Sequence, residues 1–171
     1  TLLSLLGALD RPTSGRITLF DQESSEASAQ GLASLRKNKI AHISPLVPLI
    51  SYLTVQENLE LATLFEGTTQ RASELLGVVG LSSYADRFPE ELSTGEQLRV
   101  KLGRALMNAP SLVLADEPTA NLDQRNVDLV LGVLRALSKK GVTVVVATHD
   151  DRVERVADRT CVLTDGKIQL P

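Results

Sequence analysis

The chain has 171 residues, 43% hydrophobic and 23% charged, with a formal net charge of -3. That length supports one domain with a sizeable core, and the slight acidity and 3% aromatic content argue against a nucleic-acid surface. A lone cysteine, Cys161, excludes an internal disulfide framework and reads as a small buried residue in a strand, in a reducing compartment.

In chain order, the spacing of Leu2, Leu3, Leu5, Leu6 and Leu9 predicts a buried helix that stops before Pro12. "GRITLF", Gly15 to Phe20, reads as a strand entered from a turn at "PTSG". A polar loop, "SSEASAQG", precedes a short helical piece, "LASLRKN". The strand "KIAHIS", Lys39 to Ser44, follows, with His42 expected to pack inside. After a proline-containing loop, Thr54 opens a helix, and Glu57 three residues on completes a capping box. "TQRASELLGVVG" gives a further amphipathic helix, with Gly80 as its expected stop. No run reaches the roughly 18 to 20 continuous apolar residues that span a bilayer.

From Ser93 the pattern becomes a βα rhythm. A helix runs from Ser93 to about Asn108, and the strand "LVLA" starts at Leu112. A long helix extends from about Asp123 to Lys140, then the strand Val142 to Thr148, a short helix, and a closing strand pair in "TCVLTDGKIQL". Apolar, β-branched strands without alternation imply a parallel sheet buried on both faces and covered by helices. Residues 51–92 carry no strand signal and read as a helical insert. The expected class is α/β with an inserted α-helical subdomain.

The chemistry gathers at strand and helix ends. "LVLADEP" ends a buried strand in two adjacent carboxylates, Asp116 and Glu117, which repel each other and are partly stripped of water. A bound cation rewards that arrangement: Asp116 can hold Mg²⁺ and Glu117 can take a proton from an attacking water. "LSTGEQLRVKLGRAL" sets Ser93, Thr94 and Gly95 where a helix begins, with Glu96 in the first turn. That site suits an anion or an ordinary N-cap. In "VVVATHD", His149 stands just past another strand end, on the rim that carries Glu117.

The ordered set "LSTGEQ…RAL", "LVLADEP", "TANLD" and "ATHD" closely resembles the nucleotide-binding subunit of ABC transporters. "LLGALDRPTSG" and "TVQENL" extend that resemblance over nearly the whole chain. It is most like the lipoprotein-releasing, macrolide-exporting and cell-division subfamily. The resemblance implies a P-loop NTPase-type parallel sheet, with core segments at 1–50 and 93–171 and the helical subdomain at 51–92. It implies ATP and Mg²⁺ as ligands, Asp116 at the metal, Glu117 polarising the attacking water, and His149 at the γ-phosphate. Ser93 and Gly95, with Thr94 and Glu96 in the same turn, would grip ATP held by a second subunit, and Asp123 would couple the two sites. The implied partners are a membrane permease and that second ATP-binding subunit in a head-to-tail dimer. The implied location is the cytoplasmic face of the membrane.

Two departures from the family pattern stand out. No G-x-x-x-x-G-K-S/T cradle is present, and "TLLSLLGALDRPTSG" resembles the helix that directly follows it, with Thr1 just after the lysine–serine pair. The expectation is therefore a chain cut inside the P-loop motif, its first strands missing and its own ATPase activity lost. The second departure is Pro45, where the family has a Mg²⁺-contacting glutamine; in the signature, Thr94 also replaces a glycine. Pro45 favours the alternative reading, a degenerate regulatory subunit with little turnover.

Overall fold

The computed structural model describes residues 1–44, 47–63 and 68–169; Pro45 lies outside the described residues. Its centre is a three-stranded parallel sheet in the order β3-β4-β5, with β3 at Ile40–Ile43, β4 at Leu112–Asp116 and β5 at Thr143–Ala147. The side chains of β4 alternate between two apolar clusters. Val113 and Ala115 join the cluster built with α5 (Thr94–Leu106) and α6 (Gln124–Lys139). Leu112 and Leu114 join the one built with α1 (Leu2–Leu6) and α2 (Ala29–Asn38). Val113, Leu114 and Ala115 are fully buried. Burying a Val or Leu side chain is worth about 1.5–3 kcal/mol, so β4 is the best-anchored strand and its end is a rigid platform.

Between residues 51 and 92 the described residues form helices and turns. Thr54 caps α3 (Val55–Glu60): its hydroxyl accepts from the Glu57 amide at 3.2 Å, and the Glu57 carboxylate accepts from the Thr54 amide at 2.8 Å. Helix α4 (Thr69–Val78) ends before Gly80, which takes a left-handed conformation at φ 69°. Arginines close the helix ends. Arg71 donates to the carbonyls of Met107 and Leu106 at 2.6 and 3.0 Å, and Arg99 to those of Val79 and Gly80 at 2.9 and 3.2 Å. The fully buried Asn58 donates to the carbonyls of Ile50, Leu53 and Thr54 and accepts from the Ile50 amide, which pins the loop leading into α3.

Three expectations need correction. The first helix stops at Leu6 rather than running through Leu9, and only Leu3 within it is buried. Ala8 turns left-handed (φ 52°), and Arg36 holds its carbonyl at 2.6 Å, which ends the helix early. The strand expected through Phe20 shrinks to β1 (Thr18–Leu19), paired antiparallel with β2 (Gln22–Glu23). Phe20 and Asp21 both take positive φ (52° and 60°), the geometry of a two-residue hairpin turn. Cys161 is exposed, not buried in a strand. It precedes β6 (Val162–Thr164), whose one strand partner among the described residues is the equally exposed β7 (Lys167–Gln169). His42 is half-buried in β3, its ring against Gly7, as expected of a packed side chain.

Candidate functional site

Strand β4 keeps register with β5 to its last residue, Asp116 opposite Ala147, and the next amide, of Glu117, still donates to the Ala147 carbonyl at 2.9 Å. There the backbone departs from the strand: Glu117 is left-handed at φ 45°, a conformation that costs a residue with a Cβ about 1–2 kcal/mol. The two neighbouring carboxylates have different surroundings. Asp116 is exposed, and its carboxylate has no hydrogen-bond partner among the described residues. Glu117 is half-buried, and its Oε2 accepts from the Thr148 hydroxyl at 3.0 Å.

The same rim holds the end of β5. Thr148 is half-buried and His149 next to it is exposed. The amide of Asp150 donates to the Thr148 hydroxyl oxygen at 3.0 Å, and Asp150 is the N-cap of α7 (Asp151–Glu154). Arg152 grips the Asp150 carboxylate, with its Nη2 2.7 Å from Oδ2 and its Nε 2.9 Å from Oδ1. Those hydrogen bonds hold the Asp150 carboxyl well below the usual carboxylate range and raise Arg152 in turn. Arg152 also donates to the Gln124 side chain at 3.1 Å, joining this rim to the first residue of α6.

A second constellation sits at the N-terminus of α5. Ser93 and Glu96 form a capping box: one carboxylate oxygen of Glu96 accepts from the Ser93 amide at 2.9 Å and from its hydroxyl at 2.8 Å. The Glu96 amide returns a bond to that hydroxyl at 3.3 Å. The Ser93 hydroxyl and amide lower the Glu96 carboxyl below its ordinary value. The next two amides, of Thr94 and Gly95, have no acceptor among the described residues. A Cβ on Gly95 would come within 2.5–2.9 Å of the Asn126 side chain. Asn126 is itself held by Asp123, whose carboxylate accepts from the Asn126 amide and side chain, each at 2.9 Å. These bonds, the Asn126 backbone N–H foremost, lower the Asp123 carboxyl too.

The residues singled out in the sequence thus fall into two groups. Asp116, Glu117 and His149 share the carboxyl rim of the sheet, where open parallel sheets bind ligands. Ser93, Thr94, Gly95 and Glu96 form the other group, with Asp123 attached through Asn126. No hydrogen bond among the described residues joins the two groups directly, and Thr1, exposed at the start of α1, makes no side-chain cap. Sequence reasoning missed Thr148, Asn126, Asp150 and Arg152. The signals were present as "THDDR" and as an Asp–x–x–Asn helix start, but each is too short to be singled out. Asp116 suits a Mg²⁺ site: the ion keeps several waters and takes one or two carboxylates beside substrate phosphates, and this carboxylate is exposed with no competing partner among the described residues.

The family model described as "ABC transporter" matches residues 1–120. The macrolide export ATP-binding/permease protein MacB of Burkholderia pseudomallei is 40% identical over 98% of this chain, which spans 26% of that protein. MacB of Hahella chejuensis gives the same figures. The chain therefore spans about a quarter of the length of these relatives. Among solved structures, the ATP-binding cassette MJ0796, a dimer bound to ADP and Pi, superposes with a TM-score of 0.89 at 35% identity, covering 98% of this chain and 77% of that one. The cbiO1 protein from Clostridium perfringens, part of an ABC transporter complex, superposes at 0.86 and 28% identity, covering 99% and 70%.

Proposed function

The chain belongs to the ABC transporter family and has the fold of its ATPase cassettes, and from that premise we propose that it binds and hydrolyses ATP to drive a membrane permease. One observation carries the reading: two adjacent carboxylates at the end of β4, one exposed and one held by Thr148, on the rim shared with His149. Asp116 would hold Mg²⁺, which supplies counter-charge for the β- and γ-phosphates. Glu117 orients the attacking water and receives its proton, and His149 stabilises charge developing on the γ-phosphate. Thr1, at the start of α1, belongs to the nucleotide side of the same site.

The amides of Thr94 and Gly95, with Ser93, form an anion site at the positive end of α5. A phosphate brought to them by a second copy makes the ATP part of the interface, and a two-fold head-to-tail pairing does this twice. Asp123 joins that face to its own subunit through Asn126. ATP binding then closes the dimer and product release reopens it, which moves the permease. The MJ0796 cassette, a dimer holding ADP and Pi, supports this assembly. Among the described residues no helix is long and apolar enough to cross a membrane; the cassette sits on the permease at the cytoplasmic face.

The test uses the full-length protein. Glu117→Gln slows ATP hydrolysis by roughly 10²–10⁴-fold while nucleotide binding, followed with a fluorescent ATP analogue, is kept. Turnover unchanged by that substitution overturns the assignment.

A further inference from the structure

We propose that Thr148 is a positioning residue for Glu117, holding one carboxylate oxygen so that the other faces the substrate water. The inference rests on Glu117 being the base. The chemistry of a hydroxyl makes the arrangement directional. Thr148 has one proton to donate and lone pairs to receive. The Asp150 amide donates to its oxygen at 3.0 Å, and the hydroxyl in turn lies 3.0 Å from Glu117 Oε2. With the oxygen occupied by the amide, the single proton is directed at the carboxylate. Glu117 Oε2 is thereby anchored, and Oε1 is left as the oxygen that takes a proton.

The anchor is itself braced. Asp150 is fixed by the two-toothed grip of Arg152, and Arg152 reaches Gln124 at the start of α6. Glu117 needs such a restraint. Its backbone sits in the left-handed region at φ 45°, and its long side chain otherwise samples many rotamers. No other hydrogen bond reaches the Glu117 carboxylate among the described residues. Thr148 thus supplies the orientation that proximity catalysis requires, acting through Glu117.

The experiment measures steady-state ATP hydrolysis by the full-length protein. Thr148→Val removes the hydroxyl and keeps the β-branched shape; Thr148→Ser keeps the hydroxyl. Thr148→Val is expected to lower kcat on the order of 10-fold with the KM for ATP unchanged. Thr148→Ser is expected to stay within about twofold of wild type, and Thr148→Val to add nothing in a Glu117→Gln background. Thr148→Ala is a second route to the same loss if the valine variant does not fold. The proposal is overturned if the serine variant fails as the valine variant does. It is equally overturned if kcat falls by the same factor with and without Glu117. A normal rate for Thr148→Val and Thr148→Ala beside a slow Glu117→Gln overturns the positioning role alone. A normal rate for Glu117→Gln overturns the base assignment and this role with it.

Discussion

Helices α3 and α5 begin with the same chemistry and end up with different uses for it. Both open on a hydroxyl N-cap with glutamate three residues on, and both make the full reciprocal box, Thr54 with Glu57 and Ser93 with Glu96. In α3 the two amides between cap and glutamate are taken. The Val55 amide donates to the Arg87 carbonyl at 2.8 Å and that of Gln56 to Ala85 at 3.0 Å. In α5 the matching amides, of Thr94 and Gly95, have no acceptor among the described residues. A helix start whose amides meet chain carbonyls is finished as structure. One whose amides stay open keeps donors and a dipole that, on the function proposed above, an anion takes.

Substitutions at equivalent positions of the two helices test this difference. The largest effect is expected at the second helical residue. Gly95→Val sets a Cβ against Asn126, displaces it from Asp123 and crowds the open amide; ATP turnover of the full-length protein falls by roughly 10²-fold, the scale of losing an oxyanion donor. Gln56→Val, at the same position of α3, leaves turnover per folded molecule unchanged. Equal losses in the two variants would erase the distinction.

A smaller effect is expected at the caps. Ser93→Ala and Thr54→Ala each cost about 1 kcal/mol in urea unfolding, since each removes one cap of the same type. Turnover per folded molecule should fall for Ser93→Ala alone; equal rates would mean that Ser93 is only a cap.

The smallest effect is on pH dependence. The Ser93 hydroxyl and amide hold the Glu96 carboxyl below the ordinary glutamate value of 4.5. A carboxyl with a depressed folded value stabilises the fold fully above the unfolded value, and loses that contribution as pH falls through the folded one. Ser93→Ala removes the largest cause, so the Glu96 midpoint, read by NMR titration, should move up towards 4.5. An unmoved midpoint would mean that something other than Ser93 holds it down.

How much of this was legible in the sequence varies with the range of the forces involved. The capping box of α3, the N-cap of α5, the stop at Gly80 and the alternation-free strand β4 were all readable, because each depends on residues within a turn or a strand of one another. The carboxylate pair Asp116–Glu117 stood out for the same reason. The hairpin turn at Phe20 and Asp21 was not readable, since no glycine or asparagine marks its positive φ values. Cys161 was misplaced because burial belongs to the surroundings: the strand that follows it has no described strand partner except β7. Thr148 was passed over because its value lies in a bond to Glu117, 31 residues away in the chain.

The sequence carries the order of most helices and strands, the caps of α3 and α5, and the pair of like charges that ends a buried strand. Those outcomes follow from periodicity, local hydrogen bonds and the cost of dehydrating charge, all short-range in the chain. Contacts between distant segments set that α3 closes its amides on Ala85 and Arg87 while those of α5 meet no described acceptor, that Asn126 lies against Gly95, and that Thr148 reaches Glu117. Each of these depends on which distant backbone arrives beside a donor or a Cα, and that is set by packing around β4 rather than by any local rule.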